Sequence, residues 1–359
     1  MRLFSGCTRR TGRPQSWCMH RSSIHGLKPP SARLEASARF RPYSTAPDIL
    51  SHPHGVVPSR LCSKEHRLGW QTIQAQVEPY FGQHWKFSSQ KEKTGFFAVG
   101  FSRAFSRFFP LTFDERVEGA CKMHYLALLI DDQLEKMSMA DMLSYRERVI
   151  RIAHGKESPN RDVCVEWMLS ETLQLMRGMD EVLTNDLVEG FCTLLQAQTA
   201  PGRSSVQHLG PYLEAREVDV GRPFYTALIR YGAKLHLDPT ELAHTAPLES
   251  CAFRFMGVIN DIYSWDREWK VYQESPTDGA RPFSAVYILA RETSLPYAAC
   301  KRLLYSYCRE LELVLEQSRE EIQQQNGGTL RPEMANYIKG LEYFMSGLEH
   351  WSQWTPRYK

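Results

Sequence analysis

With 359 residues the chain is long enough to bury a large core, and its 44 basic and 41 acidic residues nearly balance at net +3, giving a folded part no electrostatic reason to bind nucleic acid. Nine scattered cysteines without a C-x-x-C pair argue against a disulfide framework or a zinc site and fit a reducing compartment. No apolar run approaches the ~20 residues that an integral membrane segment needs.

Residues 1–60 form a basic extension in which Arg2, Arg9, Arg10, Arg13, Arg21, Arg33, Arg39 and Arg41 occur and the first acidic residue is Glu35. An Arg-rich, Ser-containing, acid-poor stretch has the composition of a mitochondrial transit peptide, and Arg41-Pro42-Tyr43-Ser44 has the look of a matrix-protease site. Pro29, Pro30, Pro42, Pro47, Pro53 and Pro58 fit a disordered tail equally well, as would an upstream stretch wrongly included in the reading frame.

From about His66 onward, apolar residues recur at three and four positions, which predicts helices over 66–82, 91–107, 113–137, 139–154, 163–182, 184–198, 206–233, 239–245, 248–272, 282–292, 295–323 and 331–354. The breaks fall at Phe109-Pro110, Gly155 through Pro159, Pro201-Gly202, Pro239, Ser275 through Pro282 and Asn326-Gly327-Gly328. Residues 61–359 therefore read as one all-α domain, and a helical bundle builds its ligand site in its middle from facing helices.

The helix over 113–137 carries the run Tyr125-Leu126-Ala127-Leu128-Leu129-Ile130, then Asp131-Asp132-Gln133-Leu134-Glu135. Asp131 and Glu135, four apart, share a face. Such pairs are usually solvated surface, but these leave a segment apolar enough to be buried on several sides, which sets them at the rim of a core cavity. In the helix over 248–272, Asn260, Ser264 and Glu268 recur every four residues and put an amide oxygen, a hydroxyl and a carboxylate on one face. Hard oxygen ligands with one formal charge suit Mg²⁺ held jointly with a phosphate-bearing substrate, and do not resemble a zinc site.

Together the two motifs resemble the D-D-x-x-D/E and N-D-x-x-S-x-x-x-E motifs of class I terpene cyclases. The similarity extends to the fungal aristolochene synthase family through Gly100-Phe101-Ser102-Arg103, Tyr212-Leu213-Glu214-Ala215-Arg216-Glu217-Val218-Asp219-Val220-Gly221, Gly340-Leu341-Glu342-Tyr343-Phe344-Met345-Ser346-Gly347 and Trp351-Ser352-Gln353 leading to Arg357-Tyr358. It covers the chain from about Gln71 to the C-terminus.

The resemblance implies a single-domain class I terpene synthase bundle with a central active-site cavity. It implies a Mg²⁺-dependent sesquiterpene synthase that takes farnesyl diphosphate through a germacrene-type intermediate to an eremophilane-type hydrocarbon and releases diphosphate. Three Mg²⁺ ions are expected, two on Asp131 and the third on Asn260, Ser264 and Glu268. Glu135 is counted with the metal group, although it and Asp132 also read as salt-bridge partners that help close the site. Arg216, Arg357 and Tyr358 match the family's diphosphate donors, and Arg267 stands where a lysine is usual, exchanging a point charge for a planar fork. Asp219 matches the acid that links diphosphate sensing to a helix break at Val220-Gly221. Trp351 matches a tryptophan that stabilises carbocations, and Phe108 replaces a tyrosine, so it has no hydroxyl to donate.

Leu128 and Leu194 replace phenylalanines of that family, which leaves room for a different sesquiterpene hydrocarbon or alcohol. A chain-elongating prenyltransferase would show a second aspartate-rich motif, and a protonation-initiated cyclase a D-x-D-D motif that does not occur. A catalytically inactive helical relative acting as a binding protein would show a damaged metal ligand, and none is visible. The similar enzymes imply a cytoplasmic protein, with mitochondrial import through the extension as the alternative, and leave room for a homodimer.

Overall fold

The computed structural model describes residues 57–202, 205–274, 276 and 282–358. Residues 1–56 of the basic extension lie outside the described residues, and so do the expectations that rest on them. Among the described residues there are thirteen α-helices and no strand: α1 Trp70–His84, α2 Gln90–Ala98, α3 Phe101–Phe108, α4 Val117–Leu134, α5 Met139–Ala153, α6 Cys164–Met179, α7 Glu181–Gln198, α8 Leu209–Asp219, α9 Arg222–Ala233, α10 Pro239–Glu274, α11 Ala285–Thr293, α12 Tyr297–Gln325 and α13 Pro332–Trp354. A short 3-10 turn, Pro356–Tyr358, follows α13. No described helix is long and apolar enough to cross a membrane.

Several helices start where a small polar side chain accepts a free N–H. Ser89, Ser138, Asp180 and Ser284 each cap the helix that follows them. The long α10 packs against α8, α12 and α13, α13 against α3 and α9, α7 against α9, and α4 against α6 and α1. Helix α4 is buried on nearly every side from Val117 to Ile130, so it runs through the interior, as its apolar sequence requires. Its C-terminal end and the C-terminal half of α10 are where the two acidic motifs lie.

Individual ends shift by a few residues, and the division into α-helices differs from the sequence expectation in three places. The helix expected over 91–107 is two, because Gly100 has φ +72° and a Cβ there would come within 2.9 Å of the Trp354 ring. The helix expected over 206–233 also divides at Val220-Gly221, with Gly221 at φ +102°. Conversely, the helices expected over 239–245 and 248–272 are continuous through Pro247. Buried Thr245 and Leu248 flank that proline, and tertiary packing on both sides holds the axis through the lost hydrogen bond.

Candidate active site

Helix α4 delivers its carboxylates just as it ends. Glu135 is its C-cap, with its N–H on the Asp131 carbonyl at 3.1 Å, so the four-residue spacing still sets the two side chains on one side. Oxygens of Asp131, Asp132 and Glu135 lie within 4.8 Å of one another. Three carboxylates at a helix C-terminus, where the macrodipole is also negative, repel one another unless cations balance them. Burial, reinforced by Asp131 and opposed by Arg267 and Arg357, lifts Glu135 to about 7. Arg357 forks onto Asp132 at 2.7 and 3.2 Å and lies 3.7 Å from Asp131; these acids keep it charged against its burial. Gln198 on α7 donates to Asp131 at 2.9 Å, and Arg267 on α10 reaches Glu135 at 3.6 Å.

On α10 the three oxygen donors share a face, as their spacing demands. Asn260 Oδ1 accepts from Arg216 at 2.8 Å and its amide donates to the Tyr358 hydroxyl at 2.7 Å. Ser264 Oγ is buried and has no hydrogen-bond partner among the described residues, an orphaned oxygen one turn further on. Glu268, half-buried, acts electrostatically on both Arg216 and Tyr358.

Arg216 is the node of this side. Its guanidinium donates to Asp219, to Asn260 and, at 3.0 Å, to Asp261. Asp261 also accepts from the Ala285 N–H at 2.7 Å and from the Tyr212 hydroxyl. Burial lifts Asp261 to about 6, against the pull of Arg216, Ala285 and Tyr212. Arg216 crosses α10 at Gly257, where an added Cβ would stand 2.8 Å from its Cγ.

Between the two motifs lies a cavity of about 710 Å³ counted with the open space at its mouth. Its lining joins Phe108, Leu128, Asp131, Leu194, Arg216, Asp219, Asn260, Trp351, Arg357 and Tyr358, all singled out in the sequence. Charged and polar side chains and apolar ones thus line one and the same cavity. Trp351 lies 5.9 Å from Phe108, edge to face, and 5.4 Å from Tyr358. Its indole N–H is tied to the Val99 carbonyl at 3.2 Å.

Ser264, Glu268, Glu135 and Arg267 are not part of that lining. Arg267 faces a neighbouring open groove, together with Asp132 and Arg357. Sequence reasoning missed Gln198, His124 and Tyr225 in the cavity, and Asp261, Tyr212 and Gly257 behind Arg216. Asp261 alone carried a local signal, the second letter of the N-D-x-x-S motif.

The family model described as terpene synthase family 2, C-terminal metal binding, matches residues 122–313, which include both acidic motifs. The chain belongs to the terpene synthase family, and its helices form the class I terpene synthase fold. Among known relatives, an aristolochene synthase of Aspergillus terreus is 36% identical over 332 residues, covering 92% of this chain and 98% of that one. An aristolochene synthase of Penicillium roqueforti is 39% identical over 286 residues, 80% of this chain and 83% of its own. The crystal structure of the aristolochene synthase from Penicillium roqueforti superposes with a TM-score of 0.74 at 36% identity, covering 84% of this chain and 99% of that one.

Proposed function

We propose that this terpene synthase is a Mg²⁺-dependent sesquiterpene cyclase whose catalytic domain is residues 61–359. It ionises farnesyl diphosphate and cyclises it through a germacrene-type intermediate to an eremophilane-type, aristolochene-like hydrocarbon, releasing diphosphate. The observation that carries this reading is one cavity whose lining joins cations and oxygen ligands, Arg216, Arg357, Asp131 and Asn260, to apolar and aromatic side chains, Leu128, Leu194, Phe108 and Trp351. Leaving-group charge belongs at the first, carbocation charge at the second.

The donor set fits hard divalent ions. Three carboxylates converge within 4.8 Å, and the buried Ser264 oxygen lacks a partner. Asp131 would hold two of three Mg²⁺ ions, with Glu135 beside it, and Asn260, Ser264 and Glu268 the third. Bound there, the ions neutralise the negative charge that builds on the departing diphosphate.

The rest is work for the chain's own residues. Arg216, Arg267, Arg357 and Tyr358 donate hydrogen bonds to the diphosphate, and Arg216 and Arg357 must first exchange part of their hold on Asp219, Asn260 and Asp132. Asp219, directly before the break at Gly221, relays that exchange to the cavity wall. Trp351 and Phe108 offer ring faces to the cation. Leu128 and Leu194 offer shape without rings, and this favours a second reading, a cyclase of the same class with another sesquiterpene hydrocarbon or alcohol as product.

Gas chromatography with mass spectrometry on purified protein given farnesyl diphosphate, with Mg²⁺ or with EDTA, tests the function. A Mg²⁺-dependent fifteen-carbon product is expected, and Asn260→Ala or Glu268→Ala should abolish it while the helical circular-dichroism signal stays. Folded wild-type protein that leaves the substrate intact would refute the reading, and full activity in either variant would refute the ligand assignment.

A further inference from the structure

The cavity lining contains a titratable side chain that diphosphate ionisation does not use. His124 on α4 lies four residues before Leu128 and seven before Asp131, on the helical stripe that faces the cavity, and it is 1% exposed. Its ring is surrounded by Phe105, Phe108, Phe109 and Tyr225 at centroid distances of 6.2, 5.8, 5.9 and 5.9 Å. Neither ring nitrogen has a hydrogen-bond partner among the described residues. A buried imidazole with both nitrogens unsatisfied costs stability that an apolar side chain of similar size would not.

We propose that His124 is a catalytic residue, the proton shuttle of the second cyclisation: it takes a proton from the first cyclised cation and returns the same proton to the ring alkene. The inference rests on the germacrene-to-bicycle course given above. In the first half, a C–H bond beside the cationic carbon breaks, its electron pair becomes a C=C bond, and the proton goes to the free lone pair of the imidazole. In the second half, the N–H bond breaks toward a ring C=C, which leaves a new cation and a neutral imidazole. Charge and atoms balance without another reagent.

The surroundings favour both halves. Burial pushes His124 down to about 3, so it rests neutral with a free lone pair, and its imidazolium is a stronger acid than histidine in water. The other candidates at the cavity are less suited. Burial holds the proton on Tyr225 and Tyr358, and Asp131 and Asp219 are engaged with Gln198, Arg357 and Arg216. Phe108, 5.8 Å away, has no proton to give.

The test compares wild type with His124→Leu and His124→Gln, reading diphosphate release, product composition, and the label of farnesyl diphosphate deuterated at both terminal methyl groups. The bicyclic share of the product should fall about tenfold in both variants, since glutamine keeps polarity but not basicity, while diphosphate release stays within about threefold. The wild-type bicycle should keep all the deuterium, one atom moved from a methyl group to the ring. A glutamine variant with the wild-type product ratio, or a wild-type bicycle whose ring proton comes from solvent, overturns the shuttle alone. Wild-type protein that releases no diphosphate, or releases it without forming a bicycle, overturns the function on which the shuttle rests.

Discussion

Asp261→Ala tests whether the charge network behind Arg216 is structural support for the site. Three donors converge on this 1% exposed carboxylate: Arg216 at 3.0 Å, the Ala285 N–H at 2.7 Å and the Tyr212 hydroxyl. Losing a charge-assisted hydrogen bond costs about 1.5–3 kcal/mol, and orphaning a buried N–H about 1–3. Tyr212 keeps the Phe283 carbonyl at 3.3 Å, and Arg216 keeps Asp219. Against these losses stands relief of an unfavourable burial, the one that lifts Asp261 to about 6. The balance is a loss of about 3 kcal/mol for Asp261→Ala. Asp261→Asn keeps the volume and an oxygen while shedding the adverse charge, so it should cost only about 1 kcal/mol. At ~2.1 cal/mol/K per residue over roughly 300 residues, 3 kcal/mol lowers the melting temperature by about 5 °C. Thermal and urea unfolding followed by circular dichroism measures both variants, and Asp261→Ala should also raise KM for farnesyl diphosphate by loosening Arg216. An alanine variant within about 0.5 kcal/mol of wild type, or an asparagine variant as costly as alanine, would refute the reasoning.

Ser264→Ala should leave stability unchanged or raise it by up to about 1 kcal/mol, since the buried hydroxyl has no partner to lose, while the Mg²⁺ concentration for half-maximal turnover rises about tenfold. Titrating turnover with Mg²⁺ and unfolding with urea separates the two effects. Glu135, raised from 4.5 to about 7, binds its proton more tightly folded than unfolded; its contribution to metal-free stability is full below about pH 4.5 and is lost as pH rises through about 7. Metal binding must displace that proton, so Mg²⁺ affinity should rise with pH up to about 7 and Glu135→Gln should flatten the profile, measured by calorimetry in two buffers. Gly257→Ala, which in an open helix would gain up to about 1 kcal/mol, should instead lose about that much, because the new methyl would meet Arg216 Cγ, whose guanidinium is pinned by three partners. A stabilised variant with unchanged KM would show that Arg216 yields.

The helical class and most helix positions were legible because burial in a bundle writes a three-to-four-residue apolar rhythm into nearly every segment. Boundaries were legible only where the signal is local. Gly100 interrupts its helix because Trp354, some 250 positions away in the chain, needs the space a Cβ would take, and no window of sequence contains both. Pro247 reads as a break by its missing N–H, yet α10 continues, since its neighbours Thr245 and Leu248 are packed in the interior and hold the axis. Position relative to distant residues, rather than propensity, decided each case.

The same distinction governs the site. Asn260, Ser264 and Glu268 were legible as one chemical unit because four-residue spacing alone puts them on one face, and Asp131 with Glu135 likewise. Asp261 is one residue on, about 100° around the helix axis, so it turns away from the cavity and into the cluster behind Arg216, where only the fold shows its partners Tyr212 and Ala285. His124 was hidden differently. It lies one residue before the apolar run Tyr125 to Ile130 that marked α4 as interior, and in such a setting a histidine ordinarily reads as a core residue with a hydrogen-bond partner. What distinguishes it is the lack of that partner beside a cavity in which the neighbouring Phe108 has no hydroxyl. Where a reaction needs a proton held briefly in an apolar enclosure, a partnered histidine would be a poor choice, because its hydrogen bond would fix the tautomer and occupy the lone pair. The missing hydrogen bonds that cost stability leave the lone pair of His124 free for the cation.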